Sequence, residues 1–280
     1  MKGIILAGGK GTRLFPLTIN QSKHLLPVYN KPMIFYPLST LILAGVKNLA
    51  IITSPEHKSK YEESLSICSE LGIKCEILIQ NKPVGVGNGI SVAEEFIAND
   101  PFWYMLGDNL FHGPEFGHKL KTIEETEFFD KALCFAYRVN NPHEYGVAKF
   151  NNSDLIEDLI EKPTNNISNW AIPGIYYLPA KSVAFSKEIL PSIRNEIEIL
   201  DVLKQFLIRD ELHVKKVSRG NSWFDLGTFE SLLIAQNYVH SIETRQGMHI
   251  GNPIEAALEM NLIGKNHARN LLIRYFGKNL

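Results

Sequence analysis

The sequence predicts an α/β protein: a Rossmann-like, mixed but mostly parallel sheet flanked by helices, with a small C-terminal helical extension. Two observations predict it. Short apolar strands alternate with helical patterns through about the first 130 residues, and the first strand runs straight into a glycine-rich loop. Beyond that point the strand-like runs follow one another with short connections, so the sheet reads as mixed.

Residues 2–7 form a short β-rich run ending at Gly8-Gly9, as a central parallel strand does. Pro32 suits the first turn of a helix over residues 32–44, with Gly45 as its left-handed cap. Residues 48–53 are a second strand, followed by a two-faced helix over 56–71 that Gly72 stops. Residues 74–79 are a third strand. Pro83-Val84-Gly85 then breaks the chain before a helix ending near Ala98. Residues 102–106 are a fourth strand, leading into Gly107-Asp108-Asn109. Strand-like runs follow at 131–139, 145–150, 155–161 and 171–178. Helices return at 198–209 and 228–240, and the tail carries helical patterns at 253–260 and 265–276. The division expected is a catalytic part over residues 1–240 and a helical extension over 241–280.

Bulk properties narrow the function. Hydrophobic residues make up 45% and charged residues 21% of the 280, an ordinary globular composition that buries its own core. A net charge of -1 argues against a nucleic acid polymer or an anionic membrane as partner. Cys68, Cys75 and Cys134 form no CxxC pair and fit reduced thiols, so a cytoplasmic protein is expected. No apolar run approaches the roughly 20 residues of a membrane span.

Gly8-Gly9-Lys10-Gly11-Thr12-Arg13 can bring backbone N–H groups close to an anion, with cations nearby to balance it. A dinucleotide fingerprint would need glycine at Leu14, and a P-loop would need Lys-Ser or Lys-Thr after Gly11. Both fail, and a tight turn stays open. Lys23 is either a solvated lysine or a phosphate ligand. Asp108 stands at the carboxyl end of a strand, where open sheets bind ligands. It is either a turn former or a Mg²⁺ ligand. Asp225 precedes Thr228, the more obvious helix cap.

The longer string is more specific: residues 6–14, then Pro16, Ser22-Lys23, Leu26-Pro27 and Lys31-Pro32-Met33. It resembles the sugar-phosphate nucleotidyltransferases, and the likeness runs from Lys2 to the C-terminus. The resemblance implies a nucleoside triphosphate and a sugar 1-phosphate as substrates, with dTTP and α-D-glucose 1-phosphate expected. It implies that Arg13 and Lys23 hold the triphosphate and stabilise departing pyrophosphate. With them on the nucleotide it puts Leu6, Gly8, Gly9, Gly11, Thr12, Gln80, Pro83, Gly85 and Asp108. On the sugar phosphate it puts Asn109, Tyr145, Gly146, Ile172, Tyr176 and Arg194, with Glu161 on hydroxyls and Lys162, a third catalytic cation, on the phosphate. Asp108 and Asp225 would share the cofactor, Mg²⁺. Ile242 to Gly247 and Tyr275-Phe276-Gly277 resemble the family's tail, implying a homotetramer and a remote effector site.

Some positions depart from the family pattern. Val84 stands where Asp is usual, Val86-Gly87 for Leu-Ala, Asn88 for Gln and Gly89 for Ala. Leu226 replaces Thr, and Trp170 and Pro173 replace Tyr and Thr. These leave UTP or another sugar 1-phosphate as alternatives. A non-catalytic regulatory subunit is disfavoured by the joint presence of Arg13, Lys23, Asp108, Lys162 and Asp225. A dehydrogenase lacks its fingerprint.

Overall fold

Ile4 and Ile5 point to opposite faces of the first strand, and each is fully buried in a different apolar cluster. A strand covered on both sides belongs at the centre of a layered α/β sheet. The computed structural model describes residues 1–9, 11–114, 116–123 and 128–277; Lys10 of the glycine loop lies outside them.

In chain order the elements begin with β1 (Lys2–Leu6), the two-residue ribbon β2 (Pro27–Val28) and β3 (Lys31–Pro32), α1 (Phe35–Leu43) and β4 (Asn48–Thr53). Then come α2 (Lys58–Ser64), α3 (Ile67–Glu70), β5 (Lys74–Ile79), α4 (Asn88–Val92), α5 (Glu94–Ile97) and β6 (Phe102–Leu106). β7 (Asn109–His112), α6 (Phe116–Lys121), β8 (Ala132–Arg138), β9 (Gly146–Phe150) and β10 (Ile156–Glu161) follow. The chain continues through β11 (Trp170–Ala171), β12 (Ile175–Leu178), α7 (Ser182–Glu188), α8 (Ile199–Leu207), β13 (Leu212–Lys216) and β14 (Ser222–Asp225). It ends with α9 (Phe229–Gln246), α10 (Pro253–Glu259) and α11 (Lys265–Phe276).

The main sheet runs β10-β9-β11-β8-β12-β6-β1-β4-β5, with β13 beside β8. Strands β6, β1, β4 and β5 are parallel, and β12 joins antiparallel to β6 and β8. The sheet is therefore mixed, with its parallel half built from the N-terminal strands. Ile5, Trp103 and Met105 face α1, α3, α10 and α11; Ile4, Tyr104 and Cys134 face α4, α5, α7 and α8. Burying each such side chain contributes roughly 1.5–3 kcal/mol. The C-terminal helices thus share one core with α1. A third cluster, containing Leu14, Leu26, Met33, Leu110, Leu226 and Val239, ties the loop after β1 to β7, β14 and α9.

The structure corrects several expectations. Pro32 lies in the β2–β3 ribbon opposite Pro27, and α1 starts at Phe35; Pro37 is the proline in its first turn, where no intrahelical N–H is required. The helix expected over 56–71 breaks after Ser64, where the Ser66 hydroxyl donates to the Glu63 carbonyl at 2.7 Å and competes with the helical ladder. The helix ending near Ala98 divides at Ala93. The strand expected over 171–178 is interrupted at Pro173-Gly174, because Pro173 has no N–H and Gly174 donates to the Asn109 side chain at 3.0 Å. Thr228 does cap α9, in a reciprocal pair with Ser231, but the helix runs on to Gln246. Strands β7, β13 and β14 and helices α6 and α7 were not anticipated.

Candidate active site

At the carboxyl ends of β1 and β6 the chain leaves the sheet at Ala7 and Gly107 and opens a cleft of about 670 Å³. Gly8, Gly9, Thr12 and Arg13 line it, with Leu6 on the floor. Gly11 alone among the expected residues does not line it. Its φ of 59° turns the chain, and its carbonyl accepts from Leu14 N and the Thr18 hydroxyl, both at 3.0 Å. A side chain there would strike Thr18 and the base of Lys23. Gly11 shapes the loop, while its neighbours line the cleft. Leu14, fully buried in the third cluster, anchors the short turn that carries Arg13. The Arg13 guanidinium covers Gly227, whose added methyl would lie 2.6 Å from it and 3.1 Å from an Asp225 oxygen.

Asp108 and Asp225 come together across the β7–β14 ribbon. Asp225 is in register with Asn109, and Leu226 N donates to the Asp108 carbonyl at 2.9 Å. Lys23 donates to one Asp108 carboxylate oxygen, and Asn109 Nδ2 donates to the other at 3.0 Å. Burial alone would raise Asp108, but the Lys23 charge and these hydrogen bonds outweigh it and hold the carboxyl below its usual range. Asp225 goes the other way. Burial, then the Asp108 charge, pushes it up to about 6, against the opposing charges of Lys23, Arg13 and Lys162. Asn109 organises the junction, since its Oδ1 accepts from Gly174 N at 3.0 Å and Trp223 Nε1 at 2.6 Å.

At the far end of the cleft Glu161 lies opposite Gly146 on the β9–β10 pair. Lys162 follows with φ 43°, its N–H on the Tyr145 carbonyl at 3.1 Å. A non-glycine residue in that region is strained, and it stands directly after the end of β10 at Glu161. Tyr145 packs on Trp223 with ring centroids 5.0 Å apart, and Ile172 and Tyr176 complete the wall. Burial raises Tyr145 to about 12 and raises Glu161, the latter against the pull of Arg194. Arg194 also lines the cleft, but carboxylates already engage its guanidinium: Glu161 at 2.8 Å, Glu198 at 2.7 Å and Glu196 at 3.8 Å.

The third wall holds Gln80, Pro83 and Gly85. Gly85, at φ 108°, presses so closely on Ile197 that an added methyl would lie 2.5 Å from its backbone. Gly87 donates to the Ile197 carbonyl at 2.8 Å, and Ile197 donates to the Val84 carbonyl at 2.7 Å. Residues 84–87 and the loop carrying Arg194 are therefore stapled together. Sequence reasoning missed Val86, Leu106, Glu144, Gly174, Glu196, Glu198, Ile199, Leu200 and Trp223 in the lining. Strand alternation puts Trp223 on the same face as Asp225, so that one was available.

The model of the family described as nucleotidyl transferase matches residues 2–242. A glucose-1-phosphate thymidylyltransferase of Neisseria meningitidis is 42% identical over 89% of this chain and 86% of its own. One from Mycolicibacterium smegmatis is 41% identical, over 94% and 90%. Among solved structures, a Bacillus anthracis protein assigned as a glucose-1-phosphate thymidylyltransferase, in complex with a sucrose, superposes with a TM-score of 0.77. It is 34% identical over 85% of this chain and 94% of that one. A UDP-glucose pyrophosphorylase complexed with UDP-glucose gives 0.76 at 25% identity, over 86% and 98%.

Proposed function

Because this chain belongs to the nucleotidyl transferase family, we propose that it makes dTDP-glucose and pyrophosphate from dTTP and α-D-glucose 1-phosphate. The observation that carries this reading is the convergence on Asp225, where the charges of Arg13 and Lys162 arrive from opposite ends of the cleft beside Asp108.

The two aspartates fit a divalent metal. They are buried neighbours whose like charges raise one of them, and their oxygens suit a hard cation such as Mg²⁺. Bound there, the ion would neutralise phosphate oxygens as the new bond forms. The chain's own residues do the rest. The glycine loop holds the triphosphate, with Gln80 and Gly85 against the base. Lys162 aligns the sugar phosphate, and Glu161 accepts from sugar hydroxyls. Arg194 fixes Glu161 and Glu198 as it meets the sugar side. A sugar-phosphate oxygen attacks the α-phosphorus, the bond to the bridging oxygen breaks, and pyrophosphate leaves under the charges of Arg13 and Lys23. A phosphate dianion needs no general base, so alignment and charge neutralisation suffice.

The same reading assigns residues 1–240 to catalysis and 241–280 to assembly, with α9 bridging them. It takes the protein as a cytoplasmic homotetramer. Three free thiols and exposed Phe229, Leu233 and Ile234 on α9 support that, and among the described residues no helix is long and apolar enough to cross a membrane. Sedimentation tests the assembly. For the reaction, a matrix of triphosphates against sugar 1-phosphates is scored by Mg²⁺-dependent pyrophosphate release. The dTTP and glucose 1-phosphate pair should be fastest. Faster turnover with UTP moves the base assignment, and release from no pair rejects the reading.

A further inference from the structure

Gln80 is 4% exposed at the cleft wall, and its carboxamide Nε2 donates to Asn88 Oδ1 at 2.7 Å. Its Oε1 lies over the glycine loop, where a methyl added to Gly8 would be 2.9 Å away. The Gly8 hydrogen in that position therefore points at an oxygen, a weakly attractive contact that an NH₂ group would turn repulsive. Asn88 itself is held from beneath. Tyr104 donates to the Val86 carbonyl at 2.7 Å, and only glycine at 89 leaves room for its hydroxyl.

We propose that Asn88 is a positioning residue that holds Gln80 with Oε1 presented to the base, so that the site takes a pyrimidine bearing a hydrogen on N3. Thymine and uracil carry that hydrogen. Cytosine has a lone pair there, and two acceptors would face each other unpaired, which costs far more than a missing apolar contact. The proposal rests on the nucleotidyl-transfer reading and deepens it by naming the feature of the base that is read.

The test compares kcat/KM for dTTP and dCTP at saturating glucose 1-phosphate, by pyrophosphate release, in wild type, Asn88→Leu and Asn88→Asp. Leucine is close in shape but frees the Gln80 carboxamide to turn, so the dTTP:dCTP ratio should fall on the order of tenfold. Aspartate still accepts from Nε2 and should keep the ratio. A purely structural role would depress both triphosphates together and leave the ratio alone. Gln80→Glu offers an acceptor in either orientation, so adding Asn88→Leu to it should not move the ratio further; Asn88→Ala, which removes the same partner without adding bulk and should lower the ratio likewise, decides the matter if the leucine variants fold poorly. An unchanged ratio in Asn88→Leu, or a lost one in Asn88→Asp, overturns the proposal. Equal use of dTTP and dCTP by wild type overturns it while leaving the reaction intact, and release from no triphosphate overturns the reaction as well.

Discussion

Lys23 hydrogen-bonds the carboxylate of Asp108, and Asp108 in turn raises its neighbour Asp225, so one ammonium bears on the charge of both aspartates. Lys23 also stands beside the glycine loop and lines the same cleft. In the reaction proposed above, that bond to Asp108 loosens or is shared when the triphosphate binds.

The acid limb of the pH–rate profile should fall near pH 6. Asp225 is raised from 3.8 to about 6, so it gains a proton as pH drops through that value, and the metal ligation proposed for it is lost with that proton. Raising Mg²⁺ should move the limb to lower pH by competing with the proton. The stability of the metal-free protein runs oppositely. Between 3.8 and about 6 the folded chain keeps a proton that the unfolded chain releases, so this group's contribution is full below 3.8 and declines as pH rises to about 6. Thermal melts across that window, with and without Mg²⁺, check both signs.

Lys23→Met should lower kcat by at least tenfold and shift the acid limb upward, because Asp108 and Asp225 both lose a stabilising positive charge. A variant that loses rate with an unmoved limb would confine Lys23 to the triphosphate.

Lys162→Met should reduce kcat/KM for sugar 1-phosphate by roughly ten- to a hundredfold, the scale of one lost charge-assisted hydrogen bond. Glu161→Gln should instead alter discrimination among sugars, since it keeps the contact geometry with Arg194 but weakens acceptance from hydroxyls. Kinetics varying the sugar 1-phosphate at saturating dTTP separates the two. Wild-type constants in both variants would empty the proposed sugar site.

Gly89→Ala should destabilise the fold by about 1–3 kcal/mol through overpacking, because its methyl would strike the buried Tyr104 hydroxyl. Removing that hydroxyl with Tyr104→Phe should recover much of the loss, although Tyr104→Phe alone gives up the bond to Val86. A double-mutant cycle in urea measures the coupling, and strict additivity would refute it.

The parts of the site legible in sequence were those announced by local chemistry. An apolar run meeting Gly8-Gly9 marked the loop, and Asp108 at a strand end marked the carboxyl edge. The β7–β14 ribbon was hidden, since it pairs Asn109 with Asp225, residues brought together by tertiary folding and not by any local pattern. Glu198 was hidden in plain view within Arg194-Asn195-Glu196-Ile197-Glu198: its engagement of the arginine depends on how the loop closes. Pro32 misled because any proline before a helical pattern fits a first turn, and Pro37 filled that place instead.

The two backbone hydrogen bonds at Ile197 make a single cassette of two loops far apart in sequence. A designer who grafts a bulkier residues 83–89 segment from a relative will crowd Ile197 at Gly85 and Gly87, and residues 192–198 must travel with the graft. Lineages carrying this arrangement should diversify their substrates by exchanging matched loop pairs, with solitary point changes on either loop surviving less often.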